Sequence, residues 1–112
     1  EQNIASWMAA FCTGAPGNVY INSRMSARAS FDRYFADAMR HEVGHYLIFR
    51  RCGTTEPASI GSQANAESTA SSYAVLYLGA NANTLNRATD ARYHMDELSD
   101  QAAARIHAGQ CE

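Results

Sequence analysis

The sequence predicts a single α+β domain, residues 1–112, that is predominantly helical and carries one small sheet. Its 112 residues, of which 46% are hydrophobic, suffice for one compact core. Residues 30–51 and 62–79 combine apolar side chains with capping residues at their ends, which indicates two helices. Residues 19–21 read Val-Tyr-Ile and are followed by polar residues, which favours a short strand.

The N-terminal segment is predicted to form a helix followed by a turn. Ile4, Trp7, Met8 and Phe11 have the i, i+3, i+4, i+7 spacing of an amphipathic helix over residues 3–12. Glycine, proline and asparagine are concentrated in the next six residues, which indicates a turn before the strand.

A long helix is predicted from Ser30 to Arg51. Ser30 is suited to the N-cap, and Asp32 complements the positive end of the helix dipole. Gly53 is a natural stop. The second half is apolar on nearly every face, so this helix is expected to be largely buried.

The remainder is predicted as a loop, two helices and an irregular connection. Residues 54–61 contain Pro57 and are assigned to the loop, and Ser62 is the expected cap of a helix over residues 63–78. The polar residues 81–88 are predicted to be irregular. A last helix is predicted over residues 91–108, with acids early and basic residues late in the run.

Composition excludes several classes of partner. The net charge is −2, and nine basic residues are scattered among eleven acidic ones, so nucleic acid is not an expected partner. No run of apolar residues is long enough for a membrane span. A monomer that acts on a protein or peptide is expected.

The cysteines bear on the compartment. Cys12, Cys52 and Cys111 form no CxxC pair, so a thiolate zinc site is not expected. One disulfide and one free thiol would fit a secreted or extracytoplasmic protein, with the pairing left open. The alternative is three free thiols in a cytoplasmic protein.

Residues 41–45 read His-Glu-Val-Gly-His and predict a metal site. On a helix His41 and His45 lie on one face, one turn apart, where both imidazoles can bind one zinc ion. Zinc lowers the pKa of a bound water to about 7. Glu42 lies beside the metal and is the predicted general base, which passes the proton to the leaving amine. The alternative is that His41 and His45 are exposed surface residues.

A catalytic zinc needs a third protein ligand and one open position. Ile48 and Arg51 occupy the positions where the longer HExxHxxGxxH pattern has its glycine and its last ligand. Glu67, near the start of the second helix, is therefore the predicted third ligand. Its alternative role is that of an acid favoured by the helix dipole. The weaker candidates are Glu56, Glu97 and Asp100.

The residues around Glu67 also favour close packing of two helices. Positions 67, 70, 74 and 78 form one stripe and read Glu, Ala, Ala, Leu. Small alanines on this stripe let the helix approach the histidine helix, and Gly44 does the same from the other side. Because an interior glycine costs about 1 kcal/mol relative to alanine, a packing reason is expected.

Residues 41–45 and 67–78 together resemble the gluzincins, and among them most closely the small ImmA/IrrE type of zinc peptidase. The resemblance implies a minimal zincin-like fold, one Zn²⁺ per chain held by His41, His45 and Glu67, and Glu42 as the base. It also implies that an extended substrate pairs with an edge strand, here Val19, Tyr20 and Ile21. Larger gluzincins place an aspartate four residues after the ligand glutamate, where this chain has a serine.

An oxyanion donor is expected in such an enzyme, and Tyr93 and His94 follow Glu67 in the right order. Their alternative role is surface and packing. The predicted function is that of a zinc metalloendopeptidase. The alternatives are a non-catalytic interaction domain stabilised by zinc, and a peptidase module of a larger secreted or toxin-like protein.

Overall fold

The computed structural model describes residues 9–11, 19–21, 33–87 and 90–112. In chain order the elements are strands β1 (Ala9–Phe11) and β2 (Val19–Ile21), helices α1 (Arg33–Cys52), α2 (Ala66–Tyr77), α3 (Ala82–Leu85) and α4 (Glu97–His107), and two 3-10 helices, Ala58–Ile60 and Ala91–Tyr93.

The α+β class predicted from the sequence is wrong, because the described residues form a helical fold. Their β structure is one antiparallel pair of three-residue strands, with Ala9 opposite Ile21 and Phe11 opposite Val19. A pair this short cannot form a layer with its own core. The larger cluster of buried core residues comes instead mainly from α1, α2 and α4, with Ile60 added by the first 3-10 helix.

The predicted N-terminal helix over residues 3–12 is wrong where the structure describes it, since Ala9–Phe11 is a strand. Pairing with Val19–Ile21 satisfies main-chain groups that local periodicity does not take into account. Residues 1–8 lie outside the described part of the chain, and so does Cys12.

Helix α1 is the long helix expected from the apolar run. It ends where Gly53 adopts a φ of 74°, a left-handed conformation that favours glycine. The Gly53 N–H donates to the Phe49 carbonyl at 2.7 Å. None of the described helices is both long and apolar enough to span a lipid bilayer.

Helix α2 begins later than predicted, because its cap is Asn65 and not Ser62. The Asn65 side chain accepts a hydrogen bond from the Ser68 N–H at 2.8 Å, and the Ser68 hydroxyl accepts one from the Asn65 N–H at 3.3 Å. This reciprocal capping box satisfies two free donors at the helix start. It also sets Glu67 in the first turn.

The predicted last helix, residues 91–108, is divided. Asp96 has an extended backbone and caps α4 by accepting a hydrogen bond from the Ser99 N–H at 2.9 Å. The predicted helix is therefore interrupted, and its first part is only the short 3-10 helix Ala91–Tyr93. The segment predicted to be irregular contains α3, capped by Asn81. In both cases a side chain that can bond the backbone decided where a helix begins.

Helix α2 packs on both α1 and α4 and lies at the centre of the fold. The core residues Ile48, Tyr73 and Ile106 come from these three helices and are almost fully buried. A disulfide between Cys52 and Cys111 joins the end of α1 to the C-terminal segment.

Candidate metal centre

The His-Glu-x-x-His segment lies on α1 with its functional side chains buried. His41, Glu42 and His45 are 3%, 8% and 7% exposed, so the alternative of two exposed histidines is excluded. One donor atom from each of the three lies within 4.8 Å of the others. Burying two imidazoles and a carboxylate is costly unless they share a partner or a cation.

Glu67 is the acid that comes closest to both histidines. Its Oε1 lies 3.0 Å from His41 Nε2 and 2.8 Å from His45 Nε2. Glu42 is farther away, with Oε2 3.9 Å from His41 Nε2. Glu67 is therefore the better third donor of the two, and Glu42 lies beside the group.

The two imidazoles and the Glu67 carboxylate fit a divalent metal in chemistry, and the two distances from Glu67 Oε1 to the ring nitrogens fit it in spacing. Two imidazole nitrogens and one carboxylate oxygen are a common zinc donor set. Tetrahedral ligands at about 2.0–2.1 Å from zinc lie about 3.3 Å from one another. The separations of 3.0 and 2.8 Å from Glu67 Oε1 are close to this value, so small side-chain shifts suffice.

Close approach of α1 and α2 creates this convergence, as predicted from the alanine stripe and the glycine. Ala70 and Ala74 are fully buried. A Cβ on Gly44 would lie only 2.7 Å from the Ala70 carbonyl oxygen. Position 44 must therefore be glycine for the main chain of α2 to come this close, and the contact lies one helical turn after Glu67.

The three donors perturb one another's pKa values. Burial works to raise the pKa of Glu67, but hydrogen bonds from His41 and His45 outweigh it and lower the pKa strongly. Burial lowers the pKa of His41. Burial also opposes charge on His45, but Glu67 and then the charges of Glu42 and Glu56 raise its pKa overall. At neutral pH the carboxylate is ionised and ready to bind a cation.

Ser71 completes the surroundings of His41. Its Oγ lies 2.9 Å from His41 Nδ1, and its side chain is fully buried. The sequence marked position 71 only as a departure from the aspartate of larger gluzincins. The one-turn spacing from Glu67 was the signal that this serine faces the same histidine.

Tyr93 lies next to the site, whereas His94 is exposed. The ring centroids of Tyr93 and His41 are 5.2 Å apart. Burial, followed by the charges of Glu67 and Glu42, raises the pKa of Tyr93 to about 12. Its phenol therefore stays protonated and can donate a hydrogen bond at neutral pH. Packing of the second 3-10 helix on α2 brings it here.

The remaining acidic candidates from the sequence are all exposed. Glu97 and Asp100 are exposed in the first turn of α4, which suits the helix dipole. Glu56 is exposed and acts on His45 only through its charge. Val19–Ile21 forms β2, and its role in substrate binding stays a prediction.

Asp37 is a buried residue near the site that the sequence analysis did not single out. It precedes His41 by one turn and is 1% exposed. Its carboxylate pairs with Arg40 at 2.7 Å and accepts from the Asn81 N–H at 3.3 Å. It thereby links the metal-site helix to the start of α3.

Comparisons with protein-family models, curated proteins and solved structures gave no match to this chain.

Proposed function

We propose that this protein is a zinc-dependent peptidase that hydrolyses peptide bonds. The observation that carries the proposal is the convergence of His41 Nε2, His45 Nε2 and Glu67 Oε1, with separations of 3.0 and 2.8 Å from the carboxylate oxygen. Glu42 is buried beside this group without being its nearest acid. This is the arrangement that metal-assisted hydrolysis needs.

His41, His45 and Glu67 would hold the zinc ion. When bound, zinc acts as a Lewis acid that lowers the pKa of water and polarises a carbonyl group. Three protein ligands leave a fourth position open, as catalytic rather than structural sites require. The Glu67 side chain is 23% exposed, so the donor group has access to solvent on that side.

Glu42 is assigned the proton transfers. Its carboxylate accepts the proton of the attacking water and delivers it to the nitrogen of the leaving amine, so that two transfers restore the enzyme. Its side chain is only 10% exposed, and its Oε2 lies 3.9 Å from His41 Nε2, so it is placed beside the donors without being the nearest acid.

Tyr93 is assigned the stabilisation of the oxyanion. Its ring lies against His41, and its phenol, whose pKa is raised to about 12, is protonated at neutral pH as any tyrosine would be. A neutral O–H donor can bond to the carbonyl oxygen of the substrate as negative charge develops there.

One observation favours the alternative of a non-catalytic zinc-stabilised domain. Glu42 offers a ligand atom within 4.8 Å of both histidine donors, so it would be able to close the fourth position of a structural site. The two functions differ in the role of Glu42, which is a base in one and a ligand in the other.

The test compares wild type with Glu42→Gln, which keeps the shape of the side chain and removes its charge. Zinc content is measured after desalting, and cleavage is measured on a peptide library with and without a chelator. The peptidase hypothesis requires one zinc per chain in both proteins and a loss of cleavage of about 10²–10⁴-fold in the variant. Loss of zinc from Glu42→Gln would instead indicate the structural site, and undiminished cleavage would refute the mechanism.

The disulfide supports the proposal that the peptidase works outside the cytoplasm. Cys52 and Cys111 are bonded, and such bonds persist mainly in oxidising compartments. Activity that is retained in a glutathione buffer at the oxidising poise of secreted proteins, and lost at the cytosolic poise, would support this location. Equal activity and stability at both would argue against it.

A further inference from the structure

Ser71 gives His41 a hydrogen-bond partner that His45 lacks at the same ring nitrogen. It engages His41 Nδ1 at 2.9 Å, so both ring nitrogens of His41 have a partner. His45 Nδ1 is buried and has no hydrogen-bond partner among the described residues. The two histidines are therefore held differently, one by hydrogen bonds at both nitrogens and the other by Glu67 and packing.

A hydroxyl at this position can act in both directions. While Glu67 accepts from His41 Nε2–H, the Nδ1 of the neutral ring is an acceptor, and the Ser71 O–H donates to it. When the Nε2 lone pair binds a cation, the ring proton must move to Nδ1, which then donates to the Ser71 oxygen. A carboxylate, which only accepts, would make the second bond and not the first.

We propose that Ser71 is a positioning residue that keeps the His41 ring in one orientation with and without metal, by reversing the direction of its hydrogen bond. The inference rests on the proposed zinc site and is independent of peptidase activity. Its consequence is that the buried ring need not turn when the metal enters or leaves. An isolated imidazole that loses a partner in one state would have several orientations to search.

Ser72 offers a matched control on the next position of α2. It is as deeply buried as Ser71, but its hydroxyl lies 2.7 Å from Ser99 Oγ on α4 and not at the metal site. Replacing either serine by alanine removes one buried hydroxyl of the same helix. A purely structural effect would therefore appear in both variants.

The experiment measures zinc affinity by competition with a chromophoric chelator, together with the melting temperature of the metal-free protein. We expect Ser71→Ala to bind zinc about 10–100-fold more weakly than wild type, as is usual when a ligand's hydrogen-bond partner is lost. Ser72→Ala should lower the melting temperature and leave the zinc affinity within about twofold of wild type. Equal zinc affinities in wild type and Ser71→Ala would overturn the inference.

The ring nitrogens of His41 give a readout in wild type that needs no variant. Nitrogen-15 NMR should find His41 Nδ1 unprotonated in the metal-free protein and protonated after zinc is added. A proton on Nδ1 in both states would overturn the reversal. Zinc binding without peptide cleavage would refute the proposed function alone, whereas a wild-type protein that binds no zinc would refute both.

Discussion

Replacing Gly44 by alanine tests whether the close approach of α1 and α2 creates the proposed metal site. The added Cβ would lie 2.7 Å from the Ala70 carbonyl oxygen, where ordinary contact begins near 3.4 Å. Because the obstacle is main chain, no side-chain rotation can relieve it. The two helices must separate locally, by at least about 0.3 Å to leave the prohibited range and by about 0.7 Å to reach ordinary contact.

The effect on folding should be small, because two terms oppose each other. Overpacking at such a contact costs about 1–3 kcal/mol. Alanine recovers about 1 kcal/mol of helix propensity relative to glycine. The free energy of unfolding of the metal-free protein should therefore fall by about 0–2 kcal/mol.

The effect on metal binding should be large. Glu67 lies one turn before Ala70, so displacement of α2 carries its carboxylate away from both histidines. Its Oε1 now lies 3.0 and 2.8 Å from their Nε2 atoms, and moving α2 changes both the distance and the angle at which the carboxylate meets them, whereas zinc sites tolerate deviations of only about 0.2 Å in ligand distance. We expect zinc affinity to fall at least about tenfold, measured by chelator competition.

A second substitution separates main-chain from side-chain causes. Ala70→Gly removes the methyl group and leaves the carbonyl oxygen, so it should not restore zinc binding to Gly44→Ala. Unfolding in urea is measured alongside for each variant. Wild-type zinc affinity in Gly44→Ala, or its rescue by Ala70→Gly, would show that the close approach of the two main chains does not set the metal site.

Three further substitutions or treatments address other parts of the molecule. Glu67→Ala should weaken zinc affinity at least about 100-fold, so that little zinc stays bound after desalting, whereas Glu56→Ala at an exposed position should keep its zinc. Equal losses in the two variants would show that Glu67 is not the third ligand. Tyr93→Phe should keep zinc and lower kcat about 10²–10³-fold on a cleaved peptide, and an unchanged kcat would make Tyr93 a packing residue. Reduction of the bond between Cys52 and Cys111, which lie 59 residues apart, should lower the free energy of unfolding by about 4 kcal/mol, measured in urea with and without reductant. A shift below about 1 kcal/mol would show that other contacts hold the C-terminal segment.

Local rules predicted helix α1 and the shared face of its two histidines, because spacing along one helix is a property of the chain alone. His41 and His45 share a face of α1 for this reason. The alanine stripe on α2 and Gly44 similarly predicted a close helix pair, since only small residues permit one. Two of the helix starts were misplaced, because Asn65 and Asp96 form capping boxes with the serines three residues later, which the apolar pattern does not show.

The fold class was mispredicted for a different reason. Ala9–Phe11 forms β1 by pairing with Val19–Ile21, and such pairing depends on distant main-chain groups rather than on the periodicity of the segment. The same pair is too short to make the small sheet that the α+β class requires. Helix packing around α2 decides the class instead.

The sequence by itself determined which side chains are available for chemistry and which of them share a helix face, because helical geometry converts spacing into direction. Only the tertiary structure decided that Glu67 meets both histidines, that Ser71 holds His41 and that Tyr93 lies beside them. These contacts join residues on different elements. Their distances follow from how closely the helices pack, which is settled by the whole core and not by any one segment.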